Sequence, residues 1–400
     1  MIRPTRPRSP LALAALVAVA VVLLQSLLVP LFAGPAANLA PRDLPVVVAG
    51  PAPVADQLAA RLAAAAPPGS FTVIRLPDGP AADRALRDRE AYAALVAGPD
   101  GPALHTAPGA SPTVAALLSQ AVGQPPTGAP VRVVEVVPAD PDDPRGGGFA
   151  AGFLPLALTS LLAGALLTLL VAGRTARLLG LFGFGLLAGV AGPLVLQGWL
   201  GVLPGDPLRN GAAIALTTLA IAATVTGLGS ALGRPGLGLG AVLVFLVGNP
   251  LSAVSAAPEL LPQPWGTVGQ WLPVGAGGTL LRSTGFFDGA GATGPMLVLV
   301  GYAGLGLLLT CVARTRPVPD GPGTGRDRQG PARAGRWAGL GGRGRIARDG
   351  IKPDRPERVI RPRTRPFPLA RDGPDRPWPL FRAGRSVADG AGWAAWNLSD

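Results

Sequence analysis

The sequence predicts an α-helical polytopic membrane protein with six transmembrane helices, a small extracytoplasmic α/β domain inserted after the first, and a disordered C-terminal tail. Three observations carry this prediction. Six stretches of about 20 apolar residues recur along the 400-residue chain, a polar insert of about 115 residues separates the first two, and an Arg/Pro/Gly-rich tail follows the last. A bilayer core of roughly 30 Å takes about 20 residues of helix to cross. Helices are required because backbone N–H and C=O groups in lipid must be paired within the segment.

Residues 1–10 form a short basic N-terminus with Arg3, Arg6 and Arg8, and residues 11–32 (Leu11 to Phe32) are the first span. The basic start and the small residues near Phe32-Ala33-Gly34 also suit a signal peptide. About 22 apolar residues, however, exceed the cleavable core of about 7–15, so an uncleaved helix is preferred. Cleavage would leave five spans and an outer N-terminus.

Residues 34–148 alternate strand and helix patterns. Pro45 to Ala49 (PVVVA) is a short apolar run ending at Gly50-Pro51, as expected of a buried strand entering a turn. Val54 to Ala65 places Leu58, Leu62 and Ala65 on one helical face. Phe71 to Leu76 is a second strand, Ala81 to Arg89 a short charged helix, and Tyr92 to Val96 a third strand that pairs with Ala103 to Thr106 across Gly98-Pro99-Asp100-Gly101. Ser111 to Ala121 is a helix with Ser111 as N-cap and Pro112 in its first turn. Val131 to Val137 is the last strand.

Residues 149–312 hold the remaining spans: Phe149 to Ala172, Leu178 to Leu200, Ala212 to Leu232, Leu237 to Ala256 and Pro295 to Val312. None has Asp, Glu, Lys or Arg in its middle. Glycines crowd the third to fifth (Gly180, Gly183, Gly185, Gly189, Gly192, Gly227, Gly229, Gly236, Gly238, Gly240) and predict close helix packing. Polar positions are few: Gln25, Gln197, the series Thr217, Thr218, Thr224 and Thr226, and Asn249-Pro250, which predicts a kink. The lack of an ionisable group in the spans weighs against an ion-coupled carrier and against an intramembrane enzyme.

The loop 258–294 is too apolar for a solvated connection and too broken by proline to span. Trp265 and Trp271 favour the headgroup boundary, which predicts a re-entrant or interfacial element. Arginines set the orientation. Arg3, Arg6, Arg8, Arg174, Arg177, Arg234, Arg314 and Arg316 fall on one side of six spans, which is therefore cytoplasmic; the insert and the loop 258–294 face outward.

The net charge of +12 comes mostly from residues 316–400, which hold 17 Arg and one Lys against nine acidic residues. With few aliphatic residues and no period, this tail predicts disorder. Solvation is its leading role, attraction to anionic membrane lipid the next, and nucleic acid the least favoured. Trp393 and Trp396 near its end suit a short partner-binding helix. A single lysine, Lys352, among 35 basic residues points to GC-rich bacterial coding.

Chemistry is sparse. His105 is the only histidine and Cys311 the only cysteine, so a metal site of usual spacing is not expected, and no nucleophile is marked beside His105. Asp83, Arg84, Arg87, Asp88, Arg89 and Glu90 read as a solvated helix face. Asp140, Asp142 and Asp143 read as an exposed linker rather than a calcium loop. No G-x-x-x-x-G-K-[ST] loop exists, so no nucleotide-binding motif, enzyme activity or cofactor is expected of this chain.

The six spans, the insert after the first, and the segment Leu261-Pro262-Gln263-Pro264-Trp265 through Gly269-Gln270-Trp271-Leu272-Pro273 to Leu281-Arg282 resemble the permease subunits of type-2 ABC exporters. The likeness is to the branch with a large extracytoplasmic domain between the first two of six spans, and it covers about residues 1–316. It implies export across the cytoplasmic membrane, a separate cytoplasmic ATP-binding subunit, and a homodimer or a paired homologous permease. On this resemblance Glu259, Trp265, Trp271, Pro273 and Arg282 shape the outer gate, and Gln197 and Asn249 line the route. The family's amphipathic helix before the first span and its coupling helix between the second and third have only ten residues and Gly173 to Arg177 to match them here. A non-transporting envelope protein, whose outer domain binds a ligand or protein partner, is the alternative from another class.

Overall fold

The computed structural model describes residues 10–98, 101–123 and 131–313. The basic N-terminus, the turn at Pro99-Asp100, Arg314 and the tail 316–400 lie outside the described residues. Six helices are long and apolar enough to cross a membrane: α1 (Pro10–Ala37), α5 (Gly147–Leu170), α6 (Arg174–Trp199), α7 (Pro207–Leu232), α8 (Arg234–Leu251) and α11 (Thr293–Val312). They match the six expected spans, with ends moved by a few residues.

Between α1 and α5 lies a five-stranded sheet: β1 (Leu44–Ala49), β2 (Phe71–Leu76), β3 (Ala93–Gly98), β4 (Gly101–Thr106) and β5 (Arg132–Glu135), in the order β2-β1-β3-β4-β5. β1 is parallel to both β2 and β3, β3 and β4 form an antiparallel hairpin, and β4 is parallel to β5. Parallel pairs need crossovers, which α2 (Ala52–Ala64), α3 (Gly79–Arg87) and α4 (Pro112–Gly123) supply. Local chemistry starts two of these helices: the Asp78 carboxylate accepts from the Ala81 N–H at 2.8 Å, and Ser111 Oγ from the Val114 N–H at 3.3 Å.

Central β1 is buried on both faces, which is why it reads as an unbroken apolar run. Val47, Ala49, Ala94 and Val96 point to one face with Ala82, Ala85 and Leu86 of α3. Leu44, Val46 and Leu104 point to the other with Val114 and Leu118 of α4. Each face is completed from far along the chain: Phe287 joins the first, and Ala256, Ala257 and Leu260 join the second. The sheet is therefore packed directly onto the segment between α8 and α11.

In the helical part, α7 is the centre, with buried residues along nearly its whole length. Its Thr217, Thr218 and Thr224 hydroxyls donate to carbonyls four residues back, at 2.7 to 2.8 Å, while Thr226 donates across to the Gly164 carbonyl of α5 at 3.1 Å. These four hydroxyls are all paired, three of them within the helix. Backbones meet where glycine permits: a Cβ on Gly227 would stand 2.5 Å from the Gly306 oxygen of α11, and one on Gly189 2.7 Å from the Gly211 oxygen. Gly183 and Gly238 meet no neighbour, so the glycine pattern predicted packing at some positions and not at others. α1 buries no residue, and its ring contact is Phe32 against Phe245 of α8 at 5.8 Å.

A π-helical stretch, Val242–Gly248, immediately precedes Asn249-Pro250. Proline removes one intrahelical donor, and widening the turn accommodates the break. At the end away from the sheet, Arg177 ties three helices, donating to the Thr168 and Val171 carbonyls at 2.9 Å each and to Ser230 Oγ at 3.0 Å.

Candidate functional site

The loop after α8 folds into a 3-10 turn at Pro258–Leu260 and two helices, α9 (Trp265–Gln270) and α10 (Pro273–Phe286). α10 is buried over most of its length against the bundle, although it belongs to no span. Trp265 and Trp271 are 52% and 67% exposed. Pro273 is buried in the first turn of α10, where its missing N–H costs nothing.

The sheet is fastened to this loop by polar side chains. Arg89, just past α3, donates to the Thr279 carbonyl at 3.2 Å and to Ser283 Oγ, both on α10. Its guanidinium also lies 5.2 Å from the Phe287 ring centre. Tyr92, entering β3, donates to Glu259 Oε2 at 2.8 Å. Arg42, before β1, donates to the Leu260 carbonyl at 2.7 Å, and its N–H to the Glu259 carbonyl at 3.0 Å.

Arg282 lies on the bundle side. Only 6% exposed, it donates to the Val254 carbonyl at 2.9 Å and stacks 4.9 Å over Phe149 at the head of α5. Beside it, the Gln270 amide donates to the Ser252 carbonyl at 3.1 Å and accepts from Thr279 Oγ1 at 2.6 Å. Among the described residues no carboxylate lies within ion-pair distance of Arg89 or Arg282.

Burial dominates the electrostatics. It pushes the Arg282 guanidinium down to about 10, with the like charge of Arg89 adding to the effect. Arg89 is lowered mainly by burial, against the pull of Tyr92 and Glu259. The Tyr92 phenol is raised, first by burial and then by Glu259. Tyr92 is therefore a neutral donor to Glu259 at neutral pH, in the field of the Arg89 and Arg282 guanidiniums.

Glu259, Trp265, Trp271, Pro273 and Arg282 all fall on this one loop, and Glu259 and Arg282 enter its polar contacts. The other two candidates lie elsewhere. Gln197, near the end of α6, donates to the Gly205 carbonyl at 2.8 Å and accepts from Asn210 Nδ2 at 3.3 Å. Asn249 stands in α8, its carbonyl accepting from Ser252 Oγ at 2.7 Å, and shares no partner with Gln197.

Arg89, Tyr92, Thr279 and Ser283 were missed by sequence reasoning. Arg89 was expected on a solvated helix face, and its backbone overturns that expectation. At φ +62 it is left-handed, which ends α3 and turns the side chain away from the helical surface. Asp83 leaves that face too, meeting His105 Nδ1 at 2.6 Å. No group of three or more metal-ligating side chains exists among the described residues. No protein-family model matches this chain, and no curated protein or solved structure matches it.

Proposed function

We propose that this chain is the membrane-spanning subunit of an exporter whose ATP hydrolysis resides on a separate cytoplasmic subunit, with the sheet and the loop 258–294 outside. The observation that carries the reading is the attachment of the sheet to α10 through Arg89, Ser283 and the Thr279 carbonyl, joined by Tyr92 and Glu259. A displacement of the bundle against α10 would be passed to the sheet, and the reverse. In this reading α9 and α10, with Trp265, Trp271, Pro273 and Arg282, form the outer gate, and two copies of the chain or two homologous chains enclose the route. Arg174, Arg177 and Arg234 at the opposite end support a cytoplasmic placement of that end.

One observation favours the alternative, a non-transporting envelope protein with a partner-binding outer unit. Only Val171 to Gly173 join α5 to α6, and Gly233 alone joins α7 to α8, which gives an ATPase little surface to engage there.

The test is purification of the tagged protein from its native membrane in mild detergent, with mass spectrometry of what accompanies it. A stoichiometric subunit bearing a Walker A loop is expected. Its reproducible absence, with an envelope protein held by the sheet unit instead, would overturn the exporter reading.

A further inference from the structure

A groove of about 800 Å³ runs along α11 from Gly294 to Leu305, with Gln270, Trp271 and Thr279 on its facing wall. That volume suits one drug-sized molecule. Gly301 keeps the middle of the groove open, since a Cβ there would meet nothing within 4 Å. Leu297, Leu305 and Trp271 are exposed, so the groove opens sideways toward what would be lipid. No charged residue lines it.

Tyr302 distinguishes this groove from a gap in packing. It stands at the middle of the 20-residue α11, roughly 14 Å of helix from either end. With α11 across a bilayer, neither water nor headgroups reach that depth, and an unpaired hydroxyl is costly there. Hydroxyls elsewhere in the bundle avoid the cost by bonding to their own helix, as Thr310 does to the Gly306 carbonyl at 2.8 Å. A tyrosine hydroxyl is held too far from its own backbone to do the same.

The Tyr302 hydroxyl has no hydrogen-bond partner among the described residues. Nor is it sealed in protein: among the described residues only Asn210 Oδ1 is both sealed and unpaired. On the facing wall, Thr279 donates to Gln270 Oε1 and Gln270 donates to the Ser252 carbonyl, so those groups are engaged. The Trp271 indole N–H is unpaired like the Tyr302 hydroxyl. An indole can only donate, and a phenol is a better donor than acceptor, so the missing partner is an acceptor.

We propose that this groove binds a neutral, apolar molecule bearing a carbonyl oxygen, with that oxygen on the Tyr302 hydroxyl and the hydrocarbon over Gly301. The apolar walls supply burial, and the hydroxyl selects carbonyl compounds over plain hydrocarbons. A charged ligand would find no compensating group in the walls. The assignment does not depend on whether the chain transports, and its test uses neither ATP nor a partner subunit.

The experiment uses full-length protein in nanodiscs, photolabelled with tritiated benzophenone, a neutral ketone. The competitors are hexylbenzophenone and hexyldiphenylmethane, which has a methylene in place of the carbonyl, both dosed by their mole fraction in the lipid. Saturable labelling of α11 and of the segment from α9 to α10 is expected, with the ketone competing about fivefold better than the hydrocarbon, the scale of one neutral hydrogen bond. In Tyr302→Phe the two should compete equally, while an unchanged hydrocarbon affinity reports an intact groove. Gly301→Leu fills open space and should abolish saturable labelling, with an unchanged elution profile. Labelling that does not saturate, equal competition in the wild type, a ketone preference retained in Tyr302→Phe, or saturable labelling of Gly301→Leu would each overturn the proposal.

Discussion

Arg89 and Ser283 are 194 residues apart in sequence and hydrogen-bonded in the fold. The contact joins the end of a surface helix over the sheet to a buried helix between α8 and α11, and the Thr279 carbonyl secures it one turn away. A charged donor on neutral acceptors in a half-buried setting contributes about 1.5–3 kcal/mol.

Arg89→Ala and Ser283→Ala should therefore not be additive. A double-mutant cycle on detergent-solubilised protein, read from thermal unfolding, is expected to give a coupling of about 1–2 kcal/mol. Independent effects of the two substitutions would mean that the contact does not hold the sheet to α10.

Tyr92→Phe deletes the donor to Glu259 and leaves a part-buried carboxylate short of a partner, at a cost of about 1–3 kcal/mol. The cost should depend on pH. The folded phenol is held protonated above its ordinary value of 10.0, so its contribution is complete below pH 10 and is lost as pH rises beyond it. Between pH 10 and 11 the difference between wild type and Tyr92→Phe should shrink by up to about 1.4 kcal/mol. Unfolding measured at pH 8, 10 and 11 reads this, and a constant difference would contradict it.

Arg282 is buried as a cation with no carboxylate of the described residues within ion-pair distance, and burial costs it several kcal/mol. Arg282→Met keeps much of the volume, removes the charge, and loses the bond to the Val254 carbonyl, worth about 1–3 kcal/mol. Thermal stability should stay level or rise. A fall of more than about 2 kcal/mol would show that Arg282 is a net structural support.

Gly306→Ala puts a methyl group into the backbone of α7 at Ala223, where no side chain can give way. Loss of a monodisperse peak in size-exclusion chromatography is expected. Gly183→Ala and Gly238→Ala, which meet open space, should elute as wild type.

The six long apolar helices were legible because length and apolarity alone mark them, and the sheet because its strands end at Gly and Pro turns. The polar contacts at α10 were legible on one side only. Proline and tryptophan marked the loop, and Arg282 stood out in it, but nothing local marked Arg89. Helical periodicity placed Arg89 on a wet surface, and only the left-handed backbone at that residue redirects it. Thr279 and Ser283 carry no signal, since a hydroxyl in a Gly-rich helix has the same appearance whether its partner is its own turn or a distant guanidinium. The four threonines of α7 show the reverse: they stood out in sequence, and three of them bond within their own helix.

The most direct test of the outer-gate account is the chemical accessibility of position 271 during turnover. Trp271→Cys would be introduced into a Cys311→Ser background, which has no other cysteine, and labelled from outside with an impermeant maleimide in native membranes. A severalfold change in labelling rate on trapping with ATP and vanadate is expected if α9 and α10 gate the route. An unchanged rate, with an associated ATPase present and hydrolysing, would contradict that claim.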